Sequence, residues 1–153
     1  MKAEIPRLDD LTESPWPQLP AVINQVTHTV IGRAIEVHRT LGPGLPEKLY
    51  EAALVFELRE TGLSIRQQHD IRVRYKSIQL PELRVDILVE DFLVLEVKAV
   101  EKVPESHLAQ LVSYLYAGRF PIGLLINFHS PTLKQGIYRR IHSDACSLIG
   151  PRA

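Results

Sequence analysis

Two charged side chains interrupt an otherwise apolar run. Residues 92–100 read Phe-Leu-Val-Leu-Glu-Val-Lys-Ala-Val, with Glu96 and Lys98 two positions apart. On a strand that spacing puts both on one face, while Leu93, Leu95, Val97 and Ala99 take the other as core. A mutual salt bridge at the sheet edge accounts for Glu96 and Lys98 as well as chemistry does. Asp86 tips the reading, because it is an acid on the preceding strand and a hairpin brings it towards Glu96. Two carboxylates that repel one another make sense around a divalent cation. A hard ion such as Mg2+ takes oxygen ligands and keeps several of its waters, so two or three carboxylates suffice.

Strand parity sets a condition on that arrangement. A two-residue turn at Glu90-Asp91 pairs Val89 with Phe92, and therefore Asp86 with Leu95, leaving the two acids on opposite faces. A shared ion requires the register to move by one, through an odd connection over 90–92 or a β-bulge. The carboxylates are then expected within about 6 Å of each other.

The elements that position these residues follow from period and punctuation. Residues 1–20 hold Pro6, Pro15, Pro17 and Pro20 among scattered acids and read as an extended arm, with residues 21–153 as one domain. Ile23, Val26, Val30, Ala34, Val37 and Leu41 recur at three and four, predicting a helix that Gly42-Pro43-Gly44 stops. A second helix follows Pro46, with Leu49, Tyr50, Ala53, Leu54 and Leu58 towards the core and Gly62 in a left-handed cap. The period then becomes two, in 71–75 and again in 83–89, as in antiparallel strands with one wet face. Ser106 is placed to cap a third helix over 107–117, ended by Gly118 and crossing the sheet. Residues 122–128 form a buried run and 136–141 a final strand, an edge given Arg139 and Arg140. The expected fold is an α/β domain with a central mixed sheet flanked by helices.

At this level the residues resemble a known superfamily. Asp86, a spacer and Glu96-Val97-Lys98 are similar to the D...ExK core of the PD-(D/E)XK nucleases, and Gln110-Leu-Val-Ser-Tyr114 resembles the QxxxY motif of their RecB-like branch. Gly44-Leu-Pro-Glu47-Lys-Leu-Tyr50 resembles the motif that names the small GxxExxY proteins of the same superfamily, and Gly123-Leu-Leu-Ile-Asn-Phe128 looks like that family too. The resemblance covers roughly residues 21–141 and implies a restriction-endonuclease-like fold. It implies that Asp86, Glu96 and the helix-borne Glu47 are ligands of Mg2+ or Mn2+, with the Val97 carbonyl adding an oxygen. Lys98 would orient the attacking water or stabilise charge in the transition state, and Gln110 and Tyr114 would line the site or its substrate. The reaction implied is hydrolysis of phosphodiester bonds in nucleic acid, DNA in preference to RNA. Read as ordinary structure, Glu47 is a first-turn glutamate on the helix dipole and Tyr114 a core aromatic.

Other features bound the reading without carrying it. Eighteen Lys and Arg against eighteen Asp and Glu give a formal net charge of +0, so a polyanion must be met locally. Arg72, Arg74 and Lys76 alternate onto one face and could track a phosphate backbone. A solvated strand face is the preferred reading, because no interleaved aromatics reinforce the charge. Glu36 and His38 fit a solvated helix face, His107 a helix start, and His28, His69, His129 and His142 show no ligand spacing. One cysteine, Cys146, forms no internal disulfide, and no stretch approaches the length of a membrane helix, so a cytoplasmic setting is expected. The alternative function is a homo-oligomeric binding or assembly module that keeps the nuclease fold with little or no activity.

Overall fold

The computed structural model describes Leu19 to Ile149, so most of the expected Pro-rich arm lies outside the described residues. Its last members are in view: Leu19 is buried and joins the core beside the first helix. That helix, α1 (Ala21–Leu41), buries Ile23, Val26, Val30, Ala34 and Val37 along one stripe. It ends where the Gly42 N–H donates to the His38 carbonyl with Gly42 at φ 71°, a left-handed conformation that glycine adopts without steric cost. The second helix, α2 (Glu47–Arg59), buries Tyr50, Leu54, Val55 and Leu58. Leu49, expected in the core, is 49% exposed, because the neighbouring Tyr50 defines the inward face. Gly62 is left-handed as expected, but the helix proper stops three residues before it.

Among the described residues five strands form the central sheet, in order across it β1 (Ile65–Ile71), β4 (Leu83–Val89), β5 (Leu93–Lys98), β6 (Ile122–Asn127) and β7 (Ile137–Ile141). Among the described strands only β5 and β6 run parallel, joined by α3 (Glu105–Gly118), so the sheet is mixed. Strand β5 is central and β7 lies at an edge, as its two arginines predict. Leu93, Leu95 and Val97 face a core shared with α1 and α2, while Val94 faces a second core under Leu111 and Leu115 of α3. Gly123 lets α3 sit directly on β6, since a Cβ there would lie 2.8 Å from a Leu111 methyl. A short helix α4 (Ala145–Leu148) follows β7. This five-stranded mixed sheet flanked by helices is the restriction-endonuclease-like α/β arrangement.

Two local expectations need correction. The alternating stretch 71–75 is not one strand: β1 ends at Ile71, and Arg74–Tyr75 form β2, which pairs only with β3 (Ile78–Gln79) in a separate hairpin. Alternation along a continuous strand therefore does not place Arg72, Arg74 and Lys76. Helix α3 starts at Glu105 behind Pro104, with no side-chain cap, and Ser106 lies within its first turn. Proline supplies a pre-set φ at that entry, so no hydroxyl is needed to fix it. The helix closes with Arg119 left-handed, while Gly118 is small because the Phe120 ring packs where a Cβ would be.

Candidate active site

The connection between β4 and β5 decides whether Asp86 and Glu96 meet. Glu90 and Asp91 both have φ near +60°, and the Phe92 N–H donates to the Val89 carbonyl, as in a type I′ turn. The ladder nevertheless pairs Val89 with Leu93, Leu88 with Val94 and Ile87 with Leu95, so Phe92 is one extra residue after the turn. This is the odd offset that parity requires. The same register carried one step further sets Asp86 opposite Glu96, on one face.

At that step the regular ladder stops and the two acids take over its hydrogen bonds. The Val97 N–H donates to Asp86 Oδ2 at 2.8 Å, and the Asp86 N–H reaches Glu96 Oε1 at 3.4 Å. Each carboxylate is thus oriented by the other's strand. Glu96 is only 7% exposed. Burial foremost, and then the Asp86 charge, push its carboxyl up to about 8, with the Lys98 charge acting in the opposite sense. No ion pair joins Lys98 to Glu96 among the described residues, which argues against the salt-bridge reading. The strand around Lys98 is held from β6. The Phe128 N–H donates to the Lys98 carbonyl, and the buried Asn127 amide bonds both the N–H and the C=O of Val100. Asn127 acts here as a side-chain substitute for a ladder partner.

Helix α2 contributes from the other side. In the segment Gly44 to Tyr50 the outer residues are structural: Gly44 is left-handed at φ 100°, and the Tyr50 hydroxyl accepts from the Leu45 N–H and donates to the Gly42 carbonyl. The Tyr50 ring stacks on Phe128 at 4.7 Å, tying this corner to the end of β6. Glu47 is the first residue of the helix so anchored and is half-buried. One turn on, Glu51 accepts from Gln67 at 3.1 Å and from Gln68 at 2.6 Å, and the same Gln68 amide stands 3.5 Å from Asp86 Oδ1. Gln68 is left-handed at φ 50° in the middle of β1, a conformation costly for a side chain larger than glycine and often stored at functional sites. Neither Glu51 nor Gln68 was singled out from sequence. A glutamate one turn after Glu47 was the only available signal for Glu51, and Gln68 gave none.

On α3, Tyr114 is half-buried, and its hydroxyl is held above the usual phenol range by burial and then by the charges of Glu96 and Asp86. Both acids therefore act on it electrostatically. Gln110, one turn earlier, is exposed. His107, read as a helix-start residue, keeps a buried Nδ1 without a hydrogen-bond partner among the described residues. Glu36 pairs with Arg39 on the solvated face of α1, and His38 donates to the Ser130 carbonyl at 2.8 Å, so both have structural employment.

Among the described residues no three His, Cys, Asp or Glu side chains gather to hold a metal ion, so Glu47 does not close a cage with Asp86 and Glu96. The donor set still fits a hard divalent cation. A buried carboxyl facing a second carboxylate, with no paired cation, is stable only protonated or beside added positive charge. Two carboxylates, buried Glu96 and half-exposed Asp86, suit an ion that keeps most of its waters.

The family model of the PD-(D/E)XK nuclease superfamily matches residues 24–141, from α1 through β7. No curated protein and no solved structure matches the chain. No helix among the described residues is long and apolar enough to cross a membrane.

Proposed function

The chain belongs to the PD-(D/E)XK nuclease superfamily, and from that premise we propose that it hydrolyses phosphodiester bonds of nucleic acid, DNA in preference to RNA, with Mg2+ or Mn2+. The carrying observation is the opposition of Asp86 to a buried Glu96, with Lys98 on the same strand face and in no ion pair with either among the described residues. In this reading Asp86, Glu96 and the Val97 carbonyl hold the ion, with Glu47 reached through water. The GxxExxY and QxxxY likenesses belong to the same reading. A cytoplasmic setting does too, supported by a lone, exposed Cys146 thiol.

The bound ion would supply Lewis acidity, polarising a phosphoryl oxygen and acidifying a coordinated water. The chain's own groups do the rest. Glu96 is held by its strand and by Asp86, so its carboxylate is oriented before substrate arrives. Lys98 brings a positive charge to where the phosphoryl oxygens gain negative charge, on a backbone that Phe128 holds at the Lys98 carbonyl and Asn127 at Val100. Tyr114, kept protonated by its surroundings, offers a hydroxyl to a phosphate oxygen, and Gln110 offers an amide from the same helix face.

Labelled single- and double-stranded DNA and RNA incubated with Mg2+, Mn2+ or EDTA test the proposal. Cleavage is expected with either metal, none in EDTA, and about a hundredfold less from a Lys98→Ala preparation that controls for contamination. Equal cleavage by the variant would assign the activity elsewhere. One observation favours a second reading, a self-associating module of the same fold: α2 leaves Leu49 and Phe56, seven residues apart on one face, 49% and 64% exposed. A stable oligomer in sedimentation together with no cleavage of any substrate would favour that module.

A further inference from the structure

The hairpin formed by β2 and β3 is a locally basic stretch of a neutral chain. Residues 72–80 read Arg-Val-Arg-Tyr-Lys-Ser-Ile-Gln-Leu, three cations and no acid. Elsewhere Arg33, Arg39, Arg66 and Arg84 are each paired with a carboxylate. Arg72, Arg74 and Lys76 are exposed and make no ion pair among the described residues. Tyr75 and Ile78, directly opposed across the hairpin, are 55% and 56% exposed, so its two large apolar groups face water. Lys76, left-handed in the turn, carries its ammonium 5.4 Å over the Tyr75 ring.

Position gives this surface its meaning. The hairpin is inserted between β1 and β4, and β4 runs antiparallel to β5, so the start of β4 lies at the end of the sheet where β5 presents Glu96 and Lys98. Asp86 is three residues into β4, roughly 10 Å of strand from Leu83. A strand lying on the acidic pair therefore runs past the hairpin within a few nucleotides.

We propose that the β2–β3 hairpin is an arm that grips a single-stranded segment of nucleic acid, Arg72, Arg74 and Lys76 meeting phosphates and Tyr75 stacking on an unpaired base. Unpaired cations supply charge complementarity to the backbone, and an exposed aromatic beside them supplies a π face that any base can use. The arm rests on the nuclease reading for its choice of partner, but binding is measurable without hydrolysis. It replaces the solvated-face reading of these cations, which assumed a regular strand without aromatics.

Fluorescence anisotropy in EDTA with labelled single-stranded DNA, single-stranded RNA and duplex DNA tests the arm. The triple variant R72A/R74A/K76A is expected to lose about a hundredfold in single-strand affinity at 0.1 M salt and to reduce the log-log salt slope by about 2, as for three phosphate contacts. Tyr75→Ala should weaken single-strand binding by about tenfold or more while sparing duplex, with Tyr75→Phe restoring it. Melting temperatures identify any variant that has not folded. Unchanged affinity and slope in the folded triple variant would overturn the arm, as would wild-type protein that binds no single strand. A change in sedimentation without a change in affinity would overturn it too, assigning the hairpin to a contact with a second copy. If binding behaves as stated but Mg2+ and Mn2+ elicit no cleavage, the hydrolytic reading fails and the arm stands.

Discussion

Glu96 is the residue on which the site's physics turns. Its carboxyl titrates near 8 in the fold against about 4.5 for a free glutamate, so between those pH values the folded chain holds a proton that the unfolded chain has released. The stability from that proton is full below about pH 4.5 and is lost as pH rises through about 8. In EDTA, wild-type protein should therefore lose stability relative to Glu96→Gln between pH 5 and 9, by on the order of a few kcal/mol. Melting curves of the two proteins across that range check this, and parallel pH profiles would contradict it. Proton and cation compete for the same carboxylates, so divalent binding should tighten as pH rises. Lys98 has a different signature. Its replacement by Ala should leave cation affinity equal or tighter while kcat falls about a hundredfold, the loss of one preorganised charge worth about 2.7 kcal/mol. Undiminished kcat would remove Lys98 from the mechanism.

At the scale of elements, the acidic pair was legible because it breaks a rule. Charges recur at period two inside a strand that is otherwise core, and parity then demanded the extra residue that Phe92 provides. The contribution of Glu51 and Gln68 was not legible, because it depends on a left-handed backbone inside β1 and on α2 packing over that strand. Neither leaves a local pattern. The polar β1 itself gave no alternation, being an edge strand, and the break after Ile71 arises because residues 72–82 leave the sheet. The motif from Gly44 to Tyr50 was legible as a likeness, yet its tyrosine is a structural tie. Tyr50→Phe keeps the stack on Phe128 and strands the Leu45 N–H and Gly42 carbonyl, so it should cost about 1–3 kcal/mol in urea denaturation. Unchanged stability with lost cleavage would instead give that hydroxyl a chemical role.

For the whole molecule, a formal net charge of +0 means that the global field neither attracts nor repels a polyanion, so attraction must be local, and the proposed hairpin arm at the site's end of the sheet supplies it. The same neutrality leaves cation binding as the dominant local charge event. An ion that binds only the folded state raises stability by mass action, by about 2.7 kcal/mol at a hundred times its Kd. Calorimetric titration of Mn2+ into the wild-type protein, paired with melting curves at saturation, measures this directly. The expected result is saturable heat at one site, a raised Tm, and loss of both in Asp86→Ala and Glu96→Ala. No heat and an unmoved Tm in the wild-type protein would contradict the shared cation site.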